Sequence, residues 1–363
     1  MFRDLHITNF RGFREFHMEG LGRINLLVGP NNCGKTSVLE ALDLLADYPD
    51  PVLLGSQCRR RGGLVSGEGN KDPSSTRVAL RHLFHGRQGK ADSALVLDAQ
   101  TDAGPCHLRA SLAPLSKSAS ANAGQPSGVA GRLVLQFKKD TPAEASEHSI
   151  PLTPQGEWPL ADWRQRLSQL RESLRWNFLT PDPLRPESVA QALAKIALNP
   201  EEELVLQTLR MLEPRIVGIT AVSSESEADS GYGRNGVFVK LTGENERVPV
   251  GSLGDGIWRL LGLSLVLVQN HGHVVFIDEI DIGLHYTALV DMWRMVKQTA
   301  EKLDVQVFAT THSSDCIRAL ASLARKDVTT GSDITIQRVE GERAVSYSER
   351  DIVLAAERGI EVR

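Results

Sequence analysis

The sequence predicts an α/β fold, a mixed and largely parallel sheet flanked by helices, on three observations. Short apolar runs alternate with segments of helical periodicity, which is typical of βα units. The runs at 24–28 and 274–277 are continuously apolar, as expected for strands covered on both faces. Polar motifs follow directly after such runs, and α/β sheets bind ligands at the carboxyl ends of their strands.

The individual strands and helices are predicted from the spacing of apolar residues and from the prolines that end helices. Residues 5–13 and 14–18 predict a strand and its hairpin return, and 24–28 predicts a buried strand. Apolar residues then recur at helical spacing over 38–45, and prolines at 49 and 51 mark the stop. Further strands are predicted at 94–97, 133–137, 216–222, 236–241, 274–277, 305–309, 334–339 and 344–347, and helices at 160–174, 187–197, 201–212, 252–268, 286–302 and after 347.

Domain organisation follows from where this regularity is interrupted. Residues 1–50 and 216–325 are predicted to form a discontinuous head, and 326–363 to complete it with strands and a helix. Residues 51–215 are predicted to form an inserted lobe with mobile loops, because their order is less regular. Three segments of the lobe have loop-like composition: 57–76, 116–131 and 180–186.

Composition and charge exclude several classes of protein. With 45 acidic and 41 basic side chains the net charge is −4, so the protein is not basic overall. No apolar run approaches the roughly 20 residues that span a bilayer, and the N-terminus lacks the order of a signal peptide. The four cysteines show no paired metal spacing. We therefore expect a cytoplasmic globular protein with no membrane partner.

Residues 29–36 match the phosphate-loop pattern G-x-x-x-x-G-K-[ST] between a strand and a helix. Gly29 and Gly34 let the backbone curl so that its N–H groups enclose an anion. Lys35 is placed to reach the β- and γ-phosphates, and the Thr36 hydroxyl to bind Mg²⁺. A nucleoside triphosphate is therefore expected to contact Gly29, Pro30, Asn31, Asn32, Cys33, Gly34, Lys35, Thr36 and Ser37.

Acidic and imidazole side chains follow two later strands. Asp278 and Glu279 emerge at the end of the run 274–277, where one carboxylate can hold Mg²⁺ and the next can polarise an attacking water. His312 ends a strand that we expect to neighbour this one. We therefore assign it a sensor or water-orienting role near the γ-phosphate.

Ser252-Leu253-Gly254-Asp255-Gly256 is predicted to open a helix whose free N–H groups form a second anion site. The chain's own phosphate is already enclosed by residues 29–36. The expected anion is therefore the γ-phosphate held by a second copy, so that two nucleotides lie between two protomers. The alternative is a simple helix cap by Ser252.

In order and spacing these motifs resemble the ABC-class P-loop ATPases, and within them the SMC, RecF and OLD (overcoming lysogenisation defect) group. The matching residues are 9–13, 29–36, 252–256 with Arg259, 276–279, 283–285 and 311–313. The resemblance implies an ABC-type P-loop head with a compact α+β insert, ATP as the nucleotide, and a homodimer.

The same resemblance implies roles for individual residues. Asp278 would be the Mg²⁺-associated Walker B acid, with Thr36 as the other metal ligand, and Glu279 the catalytic base. Ser252, Gly254 and Asp255 would meet the nucleotide of the opposite protomer, residues 283–285 would form the D-loop, and His312 would be the switch histidine. Arg11 can lie near the nucleotide in such proteins. Gln57 and Gln136 are both open as the glutamine of the Q-loop.

The departures from the family also carry information. SMC proteins have a long coiled coil between their two halves, whereas this chain has no sustained heptads. OLD proteins carry a C-terminal Toprim nuclease, whereas residues 313–363 contain no Asp-x-Asp. We expect the ATPase half alone, with any nuclease on a separate polypeptide, as in two-gene phage-defence systems.

The predicted function is an ATP-binding and ATP-hydrolysing enzyme that forms an ATP-sandwich dimer. It would regulate a partner effector, a separately encoded nuclease, in phage defence or DNA metabolism. One alternative is a nucleotide-gated scaffold with little turnover. Another is a RecF-like DNA-repair clamp, in which eight basic residues between 50 and 90 grip duplex DNA; a solvated loop explains that stretch equally well.

Two weaker signals are assigned structural roles. His271 and His273 have metal-like spacing without a further ligand nearby, so we predict an ordinary loop. Trp158, Trp163 and Trp176 are expected to fill the core of the lobe rather than stack on bases.

Overall fold

The computed structural model describes residues 1–46, 50–65, 76–87, 93–114, 131–139, 145–153, 155–170, 175–222, 236–326 and 333–358. The strands are β1 (Asp4–Phe10), β2 (Phe13–Glu19), β3 (Ile24–Val28), β4 (Leu64–Val65), β5 (Arg77–Ala79), β6 (Ala94–Thr101), β7 (Gly104–Pro114), β8 (Gly131–Lys139), β9 (Ser146–Leu152), β10 (Glu157–Pro159), β11 (Phe178–Leu179), β12 (Ile216–Val222), β13 (Gly236–Leu241), β14 (Arg247–Pro249), β15 (Val274–Ile277), β16 (Gln306–Thr310), β17 (Ile334–Glu340) and β18 (Arg343–Tyr347). The helices are α1 (Lys35–Ala46), α2 (Pro51–Arg60), α3 (Leu160–Leu170), α4 (Pro186–Ile196), α5 (Pro200–Arg210), α6 (Asp255–Val268), α7 (Leu289–Lys302), α8 (Ser314–Lys326) and α9 (Glu349–Glu357).

The chain forms two compact units. The first unit contains Met1–Leu21, Asn31–Leu174 and Val339–Ser346, and the second contains Gly22–Pro30, Arg175–Arg338 and Tyr347–Arg363. The two units are defined by which residues pack together, whereas the predicted head and inserted lobe were defined by sequence motifs and composition. The predicted domain boundaries therefore stay a prediction.

The second unit is built on a parallel sheet in the order β11-β15-β16-β3-β17. All residues of β3 and β16 are buried, as the continuous apolar run in β3 predicted. Buried residues of α4 to α8 pack with these strands in one core, and Trp176 packs against it. A second, antiparallel sheet in this unit has the order β12-β13-β14.

The first unit is built mainly from antiparallel strands, in the order β18-β2-β1-β6-β7-β8-β9, with β18 parallel to β2. A small antiparallel sheet, β10-β5-β4, lies in the same unit. Trp158 and Trp163 are buried here, as predicted for the lobe. Taken together, the units confirm the predicted mixed α/β class, with the parallel strands in the second unit.

The loop predicted at 57–76 is wrong over its first residues, because Gln57 lies in helix α2. Helix α1 ends at Ala46, before the prolines predicted to mark its stop, and Pro51 also begins α2. The Asp50 side chain caps α2 by accepting a hydrogen bond from the Val52 amide. Residues 66–75 and 116–130 of the predicted loops lie outside the described residues. Helix α8 and strands β4, β5, β7, β9, β10, β11 and β14 were not predicted.

Within the described part of the chain, no helix combines the length and apolar character needed to cross a membrane.

Candidate nucleotide site

The phosphate loop has the curled backbone that its glycines predicted. Gly29, Asn32 and Gly34 adopt positive φ values of 136°, 63° and 105°. Pro30, Asn31 and Asn32 are exposed, and Cys33 is half-buried. Helix α1 begins directly at Lys35, so the positive N-terminal end of its dipole adjoins the loop.

Side chains at the start of α1 are more buried than the loop. Lys35 is buried, and its Nζ lies 3.8 Å from Sγ of Cys33. Thr36 is half-buried and Ser37 is buried. Residues Asn31 to Ser37 belong to the first unit, and Gly29 and Pro30 to the second.

Gly34 is required for two reasons. Its φ of 105° is one that side-chain-bearing residues rarely adopt, and a Cβ atom there would clash with the ring of Phe13. Phe13 begins β2, so its ring lies directly against the phosphate loop. The turn between β1 and β2 is therefore part of the wall of this loop.

Arg11 lies in that turn and is buried against helix α1. Its Nε is 3.0 Å from Oε2 of Glu40, an ion pair whose side chains are 7% and 3% exposed. Burial lowers the pKa of Arg11, and the Glu40 carboxylate opposes this effect. Arg61, at the end of α2, lies 3.0 Å from the other Glu40 oxygen and 3.4 Å from Oγ of Ser37.

In the second unit the register of the parallel sheet aligns three motif-bearing strand ends. Leu27 of β3 pairs with Thr310 of β16, and Ala309 of β16 pairs with Ile277 of β15. The carboxyl ends of the three strands therefore lie side by side. The phosphate loop leaves β3 at this edge, Asp278 follows β15, and residues 311–313 follow β16.

Thr310 links the acidic pair to the neighbouring strand. Its hydroxyl donates to Oδ1 of Asp278 at 2.6 Å and accepts from the Glu279 amide at 2.8 Å. Asp278 is 8% exposed, whereas Glu279 adopts a φ of 50°, which is rare for a residue with a side chain. Such local strain is often found at functional sites.

Arg259 of α6 holds the backbone of the acidic pair. Its Nη2 donates to the carbonyls of Asp278 (2.9 Å) and Glu279 (2.8 Å), and its Nη1 donates to that of Thr180 (2.7 Å). Burial lowers the pKa of Arg259 to about 10, and the nearby carboxylates of Asp278 and Asp281 oppose this effect. The guanidinium stays charged at neutral pH.

Ser252 does not cap the helix, contrary to the alternative considered for it. It lies in a short 3-10 turn (Val250–Leu253), and its hydroxyl donates to the Pro249 carbonyl at 2.7 Å. Helix α6 begins three residues later at Asp255, with Gly254 at the N-cap and no side-chain cap. Ser252, Gly254 and Asp255 are all exposed.

The segment at 283–285 lies beside this helix start in the same unit. A Cβ on Gly256 would be 3.2 Å from the Gly283 carbonyl, so the first turn of α6 and this segment are in close contact. His285 and His312 are exposed, and β16, which precedes His312, pairs with β15 as expected. His271 and His273 lie in the turn after α6.

The remaining candidates lie in other surroundings. The amide of Gln57 is buried and donates to the Glu40 carbonyl and to Asp43, so it is committed to helix packing. Gln136 is exposed on β8 and donates to Glu147. Neither environment identifies a Q-loop.

Three of the eight basic residues between 50 and 90 are engaged within the first unit, whereas Arg81 and Arg87 are exposed. Arg59 lies over the Trp163 ring at 5.0 Å, Arg60 is 3.7 Å from Asp43, and Arg61 pairs with Glu40. Lys71 and Lys90 lie outside the described residues.

The donor chemistry fits Mg²⁺. The Thr36 hydroxyl of the first unit and the Asp278 carboxylate of the second are each a hard oxygen donor, of the kind this ion prefers. In the described part of the chain no three His, Cys, Asp or Glu side chains are grouped as a metal site.

Sequence reasoning missed three residues that organise these motifs: Thr310, Glu40 and Arg61. Glu40 had a usable signal, since it and Asp43 are the acids inside an otherwise apolar helical pattern and such charges need partners. Thr310 begins the Thr-Thr-His-Ser segment and could have been paired with Asp278 once the strands were taken as neighbours. Arg61 gave no signal beyond its charge.

Comparison with protein-family models matches two segments. Residues 1–78 match the model described as "AAA ATPase domain", and residues 136–315 match "AAA domain, putative AbiEii toxin, Type IV TA system". The first segment contains the phosphate loop, and the second contains the acidic pair.

Similar proteins were found among curated sequences and solved structures. A Helicobacter pylori protein named ATP/GTP phosphatase is 23% identical over 356 residues, covering 90% of this chain and 89% of that protein. The DNA replication and repair protein RecF of Clostridioides difficile is 41% identical over 44 residues, 12% of each chain. A crystal structure of an Smc head bound to the C-winged helix domain of ScpA matches with a TM-score of 0.50 at 10% identity, covering 96% of this chain and 97% of that one. The structural match shows the fold.

Proposed function

We propose that this chain, an ATPase of the AAA and SMC-head type, binds ATP with Mg²⁺ at residues 29–36 and hydrolyses it in a dimer whose protomers complete each other's sites. The observation that carries the proposal is the strand register of the second unit. It aligns the start of the phosphate loop with the strand ends that precede Asp278 and His312. Ligands bind at such strand ends in α/β sheets.

The residues have distinct chemical tasks in this proposal. The loop amides and Lys35 bind the phosphates, and Thr36 and Asp278 would hold Mg²⁺, which supplies charge neutralisation when bound. Glu279 orients the attacking water and accepts its proton, and His312 contacts the γ-phosphate as the sensor. The hydroxyl of Thr310 and the guanidinium of Arg259 fix the backbone that carries both acids.

The exposed start of α6 supports the dimer. Its first N–H groups have no side-chain cap, and such a helix end attracts an anion. Ile282 and Tyr286, which flank the adjacent 283–285 segment, are 39% and 62% exposed. An uncapped anion site bordered by exposed apolar side chains suits contact with a second copy, whose γ-phosphate Ser252, Gly254 and Asp255 would meet.

A complementation experiment tests the dimer. Lys35→Ala removes the phosphate contact in one site, and Ser252→Arg blocks the surface that serves the opposite site. Each variant alone is expected to be inactive, because both sites of its homodimer are damaged. Mixing them produces heterodimers with one intact composite site, so ATP turnover should return; a mixture as inactive as either variant would contradict the sandwich.

Turnover itself separates the enzyme from the nucleotide-gated scaffold. Phosphate release by the wild-type protein is expected to exceed that of Glu279→Gln about a hundredfold, the usual effect of a positioned base. Equal rates would favour the scaffold. The nucleotide affinity of the variant should be unchanged, which serves as its control.

We propose that the partner of this protein is a separately encoded effector in phage defence or DNA metabolism. The second family model names a toxin–antitoxin system, and the Smc head was solved with a bound partner protein, both of which are partnered arrangements. The RecF-like clamp is less favoured, since Arg59, Arg60 and Arg61 are already engaged within the first unit. Salt-sensitive duplex DNA binding that is lost on replacing these three by Ala would reverse that order.

A further inference from the structure

Three charged side chains form a network that connects helix α1, which follows the phosphate loop, to the C-terminal end of α2. Glu40 on α1 lies between two guanidinium groups, with Arg11 3.0 Å from one carboxylate oxygen and Arg61 3.0 Å from the other. The Arg11 and Glu40 side chains are buried, whereas that of Arg61 is 39% exposed. Arg61 is therefore the residue of this network that is accessible to solvent.

The Arg11 guanidinium has unused hydrogen-bonding capacity. Its Nη2 is shielded from solvent and donates no hydrogen bond within the described residues. The Arg11–Glu40 contact is an ion pair at one oxygen rather than a two-bond fork. A buried cation with an unused donor favours an anionic acceptor.

The position of Arg11 indicates which anion that is. Phe13, two residues further along the same turn, lies against Gly34 of the phosphate loop. Glu40 lies on the helix that Lys35 begins. A phosphate oxygen of the nucleotide is therefore an anion that the proposed function brings to the loop against which this turn lies.

We propose that Arg61 is a positioning residue for the nucleotide, an inference that rests on the proposed function. By holding one oxygen of Glu40, Arg61 limits Arg11 to the other oxygen and leaves Nη2 of Arg11 available to phosphate. Without Arg61, the Glu40 carboxylate has one cation left and takes both donors of Arg11 in a bidentate pair, which is the preferred geometry. The nucleotide then loses a contact although Arg61 does not touch it.

Nucleotide titration of the full chain with a fluorescent ATP analogue tests this role. Arg61→Met is expected to weaken binding about fivefold, a typical coupling between contacting residues. Arg61→Lys keeps the charge and should restore part of the affinity. Arg60→Met is the matched control, since it removes the neighbouring arginine of the same helix end, whose ion pair goes to Asp43.

A double-mutant cycle distinguishes positioning from a general structural effect. If Arg61 acts through Arg11, then Arg61→Met has no further effect in an Arg11→Met background. The same fivefold loss in both backgrounds, an unchanged affinity for Arg61→Met, or an equal loss for Arg60→Met would overturn the proposal. Failure of the wild-type protein to bind the analogue would overturn the proposed function as well, so the two failures are distinguishable.

Discussion

Removal of the Arg259 guanidinium should destabilise both the fold and the segment that carries Asp278 and Glu279. The side chain is 6% exposed, and Arg259→Met leaves three largely buried carbonyls without their donors, at about 1–3 kcal/mol each. The change also removes the cost of burying a cation, which the lowered pKa of about 10 reflects. We therefore expect a net loss of about 3 kcal/mol in the free energy of unfolding.

Urea unfolding followed by circular dichroism measures this loss, and phosphate release measures the effect on turnover. Arg259→Lys retains the charge without the fork, so its stability and activity should lie between those of the wild type and Arg259→Met. Arg318→Met removes an exposed arginine paired with Asp315 and should change stability by less than about 0.5 kcal/mol. An Arg259→Met protein with wild-type stability and turnover would refute the role assigned to the three hydrogen bonds.

The remaining predictions concern the phosphate loop. Gly34→Ala should weaken nucleotide binding at least about tenfold, because the backbone is left-handed and the Cβ meets the Phe13 ring, whereas Gly12→Ala, which has open space, should bind normally in the same titration. In the native protein, Ellman's reagent should react rapidly with Cys33 alone, and bound ATP should slow that reaction. A second thiol that reacts rapidly would contradict the prediction that only Cys33 is reactive. The reason is that burial raises the pKa of the other thiols, to about 12 for Cys58 and Cys316 and about 11 for Cys106. Between about pH 9 and 12 these three thiols stay protonated in the folded state but lose their protons in the unfolded state. The free energy of unfolding should therefore fall as pH rises through this range, which urea titration measures.

Helix α2 shows where local patterns were insufficient. Its sequence contains Gly55 and polar residues and has little helical periodicity, so it was predicted in part as a loop. The fold supplies what the pattern lacks: Gly55 lets the Trp163 ring approach closely, and the Trp163 indole N–H donates to the Val52 carbonyl at 3.1 Å. Tertiary contacts therefore stabilise a helix that its own propensity does not.

The sequence by itself determined the α/β class, the phosphate loop and the acidic pair, because each depends on neighbouring residues: an apolar run for a buried strand, glycines at fixed spacing for a curled loop, and two acids at a strand end. Tertiary structure alone decided which distant groups meet these motifs. Thr310 reaches Asp278 across 32 positions of the chain, and Arg61 reaches Glu40 across 21. Such partners are set by strand register and helix packing, and a one-residue shift in register would place different side chains opposite each other.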